Sequence, residues 1–89
     1  MATHRFPRSV SLLGYKLKIR QTTTAKLSLI AKDDRILQGF WDDSTDTIYL
    51  IRGDSFRQKT ETLRHELEHA FTDLMERYLD TITRRYQGL

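Results

Sequence analysis

Residues 56–87, FRQKTETLRHELEHAFTDLMERYLDTITRRYQ, decide the fold, because they predict one long helix at the carboxyl end of the chain. The segment contains neither glycine nor proline before Gly88. Ser55, followed three residues later by Gln58, fits the capping box that starts many helices, so the helix with its cap covers residues 55–87. This is long for a small domain, and the prediction includes a break near residues 75–77.

At about 100° per residue, the predicted helix has an apolar stripe and a polar stripe. The apolar stripe, which should pack against a sheet, consists of Leu63, Leu67, Ala70, Phe71, Leu74 and Tyr78. The other side carries groups able to bind a metal, namely His65, His69, Asp73, Glu76 and Asp80, with Glu66 at its margin. The segment therefore predicts a core face and a face lined with candidate ligands.

Two histidines and a glutamate in this segment have the spacing of one half of a zinc hydrolase site. Because residues four apart lie on the same face of a helix, the rings of His65 and His69 can reach a single ion. Glu66, next to the first histidine, is then placed to take a proton from a water molecule that the ion activates. The chain has no cysteine, so any zinc must be held by His, Asp, Glu and water.

The middle of the chain, residues 14–52, predicts a sheet. After Gly14, apolar and basic residues alternate with the period of a half-buried strand; they are Tyr15, Leu17 and Ile19 against Lys16, Lys18 and Arg20. Ile36 to Trp41 and Thr47 to Arg52 are both β-prone, and the turn-forming residues between them predict a hairpin. Thr22 to Asp34 fits either a short helix or a further strand.

Together these elements predict a single α+β domain over residues 1–89. It consists of a small, mostly antiparallel sheet of three or four strands, with the β-hairpin, packed on the long C-terminal helix. Residues 1–13 have no clear period and predict an N-terminal arm that packs late or pairs along a sheet edge. Gly39, inside the first hairpin strand, predicts a bulge or a close backbone approach.

Composition bounds the class of protein. An 89-residue chain has room for one small core. Its net charge of +3, with basic residues in both halves, permits weak attraction to nucleic acid but does not predict it. No stretch approaches the roughly 20 apolar residues of a membrane helix, and no signal peptide is evident, so we expect a cytoplasmic protein without membrane contact.

The stretch from Ile36 to Leu74 resembles the zincin metallopeptidases. His65 to His69 match their HExxH signature, and a strand, a hairpin and a motif helix follow in the order of their catalytic subdomain. Thr47 to Ile51 together with Thr62 to Ala70 look like the small ImmA/IrrE-type and phage-encoded minimal metallopeptidases. The resemblance implies a minimal zincin-like domain, from a phage or prophage, that hydrolyses peptide bonds in a peptide or protein substrate.

The resemblance also assigns roles to individual residues. It implies that His65 and His69 bind Zn²⁺ through neutral imidazoles, and that Glu66 acts as general base and then as proton donor to the leaving amine. A peptide substrate would most naturally add as an extra strand to the hairpin edge above the helix. The sequence does not assign the residue that would stabilise the oxyanion, for which Tyr78, Tyr86 and an arginine are candidates.

The third protein ligand is where this sequence departs from the family. Asp73 lies one turn beyond His69 and is a candidate. At about 1.5 Å rise per residue it is roughly 12 Å along the axis from His65, so a hydrogen bond to His69 suits it better than the ion does. The other candidates are Glu76 and Asp80, which need a break in the helix, and His4 on the N-terminal arm.

A second hypothesis is a catalytically inactive zincin-like module that binds a protein partner or, less favoured, nucleic acid. It rests on the missing third ligand and on Glu68, which replaces the uncharged residue usual in the family. In the simplest alternative to any metal site, His65 and His69 lie on a solvated helix face beside acids that satisfy them. The sequence specifies neither the substrate nor the oligomeric state.

Overall fold

A computed structural model gives the fold, and it describes residues 6–86. Within this range the chain forms four strands and two helices: β1 (Ser9–Leu12), β2 (Tyr15–Thr22), α1 (Thr24–Ala31), β3 (Gly39–Asp42), β4 (Thr47–Ile51) and α2 (Phe56–Tyr86). The strands form one sheet in the order β1-β2-β4-β3, and α2 packs against β3 and β4. The predicted α+β class is confirmed. None of the helices in residues 6–86 is long and apolar enough to cross a membrane.

The sheet is mixed, whereas a mostly antiparallel one was expected. β1 pairs with β2 and β3 pairs with β4 in antiparallel fashion, but β2 and β4 at the centre are parallel. The hairpin adds to β2 through its second strand, β4, which runs in the same direction as β2, and β3 is left at the edge. In the ambiguous segment 22–34, Thr24–Ala31 form the helix α1, with Thr23 as its N-cap.

α2 begins where the sequence predicts and does not break. The Ser55 hydroxyl accepts a hydrogen bond from the Gln58 backbone N–H at 3.1 Å, which forms half of the predicted capping box. The prediction of a break near residues 75–77 is wrong, because the helix is continuous through this region. There Arg77 binds the turn between β3 and β4, donating to the Asp46 carboxylate at 2.9 Å and to the Asp43 carbonyl at 2.8 Å. The predicted helix end at Gln87 lies outside the described residues.

The core lies between α2 and one face of the sheet, and its members are Leu17, Ile19, Trp41, Ile48, Leu50, Ala70 and Leu74. The apolar stripe predicted for α2 is only partly correct. Phe71 and Tyr78 are 43% and 45% exposed, while Thr62 and Glu66 occupy buried positions in the packed face. At about 1.5 Å per residue, a 31-residue helix is longer than strands of four to eight residues, so its carboxyl end extends past the sheet.

Gly39 allows β3 to approach α2 closely, as one of the two predictions for this residue stated. A Cβ atom at this position would overlap the Cγ2 methyl of Thr62 and lie 3.1 Å from the backbone oxygen of Tyr49. It would also lie 3.4 Å from the Cγ of Glu66. The missing side chain therefore lets the motif glutamate pack directly against β3.

We expect Gly39→Ala to lower the free energy of unfolding by about 1–3 kcal/mol, the usual cost of overpacking a core. Thr62→Ser removes the methyl group but keeps the hydroxyl, which accepts a hydrogen bond from Gln58 Nε2 at 3.2 Å. Added to Thr62→Ser, the glycine substitution should therefore cost much less. Urea unfolding of the four proteins measures this difference, and an equal cost in both backgrounds would contradict the contact.

Candidate metal centre

The two motif histidines lie side by side on the exposed surface of α2, one turn apart. The Nε2 atoms of His65 and His69 are 3.2 Å apart, with the ring planes at 80°. Two ligands at about 2.0–2.1 Å from a tetrahedral ion are themselves roughly 3.3 Å apart. The separation therefore matches the spacing of two nitrogen ligands on one zinc ion. In the metal-free protein the same distance suits a hydrogen bond, with one Nε2 protonated.

Glu66 lies beside this pair but belongs to the packed face of the helix, with 8% of its surface exposed. This placement differs from the margin of the ligand face that was expected, because Gly39 leaves room for it under β3. Burial raises the pKa of the Glu66 carboxyl, while His69, His65 and the backbone N–H of Trp41 oppose the rise by favouring the charged form. A carboxyl with a raised pKa is better matched to proton transfer near neutral pH than an exposed one.

Asp73, the first candidate for a third ligand, is engaged elsewhere. Its Oδ2 accepts a hydrogen bond from the indole Nε1 of Trp41 at 2.6 Å, and Trp41 is part of the buried core. The hydrogen bond that the structure gives to Asp73 is thus to Trp41 and not to His69. No pattern in the sequence connects these two residues, which are 32 positions apart.

The remaining candidates do not complete the site within the described part of the chain. Glu76 and Asp80 are exposed on a helix that does not break, and His4 lies outside the described residues. Across residues 6–86, no group of three or more His, Cys, Asp or Glu side chains could hold a metal ion. Tyr78 and Tyr86 line a separate groove at the carboxyl end of α2, away from the histidines.

The arrangement thus offers two nitrogen donors at zinc spacing, a buried carboxylate on the intervening turn, and an edge strand alongside. β3 contacts the motif turn through Gly39 and Trp41 and is the outermost strand on its side of the sheet. None of the known family models, curated proteins or solved structures compared with this chain matches it.

Proposed function

We propose that the protein is a zinc-dependent peptidase with a minimal zincin-like domain. In this proposal His65 and His69 hold the ion and Glu66 is the general base. The observation that carries it is the 3.2 Å separation of the two Nε2 atoms, next to a carboxylate that the fold holds against β3. Helix spacing alone brings the two rings together, and a hydrogen bond between them accounts for the same distance. The buried carboxylate beside the pair is therefore what favours a catalytic site over two solvated histidines.

Zinc bound at this site would activate water and polarise the scissile carbonyl. Glu66 would take the proton from the attacking water at a carboxylate oxygen and then deliver it to the leaving amine. The contact with the Trp41 N–H orients the carboxylate for this task. Two histidines leave the other positions of a tetrahedral ion to water, to the substrate, or to a ligand outside residues 6–86.

The proposed substrate is a peptide in extended conformation. In the part of the chain that the structure describes, no strand pairs with the outer side of β3. A peptide could add to this edge through backbone hydrogen bonds and would then lie beside the motif turn, because Glu66 and Asp73 both contact Trp41. The ion and the base would meet a backbone carbonyl of that peptide.

A second candidate function is a zinc-binding interaction module without catalysis. It is favoured by one observation, that within residues 6–86 no third candidate ligand joins His65 and His69 at the site. Such a module would use the edge of β3 to bind a protein partner and would not cleave it. The two functions differ in whether a zinc-loaded protein turns over a peptide.

Chelation and reconstitution test the peptidase directly. Protein purified without a histidine tag and stripped with 1,10-phenanthroline should be inactive towards a library of unstructured fluorogenic peptides. One equivalent of zinc should restore cleavage, because the ion supplies the activation that the protein groups lack. Cleavage that survives chelation would exclude the zinc mechanism. Stoichiometric zinc binding without cleavage of any peptide would favour the interaction module.

A further inference from the structure

A basic groove lies on the side of the molecule where β1 begins at Ser9 and β2 extends beyond it. It has a volume of about 1310 Å³ and is open to solvent. Its cationic residues come from the segment before β1, from β2, from the loop after β4 and from the first turns of α2. They are Arg8, Lys16, Lys18, Arg20, Arg52 and Lys59. None of the described residues that line it is acidic, and neither His65 nor His69 is among them.

The positive charge of this groove is not neutralised within the described part of the chain. Arg20 donates to two backbone oxygens and Arg52 donates to one, each at 3.1 Å. Lys59 donates to the side-chain oxygen of Gln21 at 2.8 Å. These neutral acceptors orient the side chains and leave their charge available. The ion pairs of residues 6–86 involve other basic residues, namely Arg35, Arg57, Arg64 and Arg77.

The charge distribution along the sequence explains why the groove is lined, within the described residues, by basic residues and by no acidic ones. Residues 1–32 contain seven of the fifteen lysines and arginines and none of the twelve acidic residues. On β2, Leu17 and Ile19 belong to the core, so the alternating Lys16, Lys18 and Arg20 lie together on the opposite face. Successive cations on this face are about 6.7 Å apart along the strand, given roughly 3.3–3.4 Å per residue.

An aromatic pair borders the same groove. The rings of Phe6 and Phe56 are 5.0 Å apart between centroids, and the ammonium of Lys59 lies 5.9 Å from the centroid of Phe6. Phe56 is 48% exposed. A cationic groove combined with aromatic rings is the arrangement by which proteins bind single-stranded nucleic acid, through phosphates and base stacking.

We infer that this basic groove binds single-stranded nucleic acid through its phosphate backbone. Lys16, Lys18 and Arg20 contact successive phosphates, and the Phe6–Phe56 pair receives a base at one end. An anionic membrane is the weaker alternative, because the groove is concave and presents no apolar helix face for insertion. This inference goes beyond the proposed peptidase and does not depend on zinc binding.

Fluorescence anisotropy with a labelled mixed-sequence single strand, as DNA and as RNA, tests the inference across a series of salt concentrations. The triple variant Lys16→Gln, Lys18→Gln and Arg20→Gln should bind roughly tenfold more weakly. Its slope of log affinity against log salt should fall by about 2, since each single-strand phosphate contact contributes about 0.7. Circular dichroism checks that these exposed substitutions leave the fold intact, and Arg52→Gln provides an independent single variant with a smaller loss.

The matched control is the triple variant Lys26→Gln, Arg64→Gln and Arg84→Gln. It removes the same charge from exposed positions that do not line the groove, and it should keep most of the affinity. An equal loss in the two triple variants would overturn the assignment to the groove. Equal or tighter binding to polyglutamate, to anionic vesicles or to duplex DNA would overturn the assignment to a single strand, as would the absence of binding at low salt.

Discussion

His65→Ala and His69→Ala should each weaken zinc binding at least ~100-fold. Loss of a residue that only supports a metal ligand typically costs 10–100-fold in affinity, and loss of the ligand itself should cost more. In this protein each histidine contributes one of the two nitrogen atoms that lie 3.2 Å apart, so either substitution leaves a single donor. Competition with a chromophoric chelator, on protein without a histidine tag, measures the affinity.

Asp73→Asn is the matched control for these histidine variants. Asparagine keeps an oxygen that can accept the hydrogen bond from Trp41 Nε1, which the structure gives to Asp73 at 2.6 Å. Zinc affinity should therefore stay at the wild-type value. A loss as large as that of the histidine variants would make Asp73 a ligand after all. Wild-type zinc affinity in both histidine variants would contradict the assignment of the zinc site to His65 and His69.

Glu66→Gln should lower the rate of peptide cleavage by about 10²–10⁴-fold, the usual contribution of general acid–base catalysis. Gln cannot take up the proton of the attacking water, but it matches the shape of the side chain that packs under Gly39. Zinc affinity should be kept, since both histidines remain. Steady-state kinetics of zinc-loaded protein, with metal content measured on the same sample, separate the two effects.

Glu68→Gln is the control within the same motif. Glu68 is exposed and lies 3.9 Å from Arg64 in an ion pair of the kind that contributes little to stability. Its substitution should leave both cleavage and zinc binding unchanged. An equal loss of activity in the two variants, or full activity in Glu66→Gln, would contradict the assignment of Glu66 as the base.

Glu66→Gln should also stabilise the metal-free protein at neutral pH. Because burial raises the pKa of Glu66 in the folded state, the folded state binds more protons than the unfolded state between the two pKa values. The free energy of unfolding therefore falls as pH rises through this interval. Glu66→Gln has no carboxyl at this position and so does not lose stability in this way. Its melting temperature should exceed that of the wild type at pH 7, and the two should become similar near pH 4. A variant less stable than the wild type at pH 7 would contradict this reasoning.

The elements predicted best are those whose signal is local. The alternation of Leu17 and Ile19 with basic residues predicts β2, and the turn residues before Thr47 predict the hairpin; both are confirmed. The pairing of β4 with β2 is non-local, and the near-continuous apolar run from Thr47 to Ile51 was the one sign that β4 would be central.

The candidate site was predictable only where helix geometry alone decides it. The fixed spacing of an α-helix brings His65 and His69 together whatever they pack against. The burial of Glu66 depends on Gly39 of β3, and the position of Asp73 depends on Trp41. These contacts are tertiary and leave no periodic signal. The basic groove did leave a signal in the sequence, because residues 1–32 contain no acidic residue. The modest net charge of the whole chain conceals this local excess of positive charge.

The most direct test of the zinc site is an anomalous difference map from crystals of the protein grown with one equivalent of zinc. The account predicts a single strong peak at about 2.0–2.1 Å from the Nε2 atoms of both His65 and His69, with Glu66 on the adjacent buried side. A map with no peak between the two rings would contradict it, whether zinc is fully bound at another place or the two rings are turned apart.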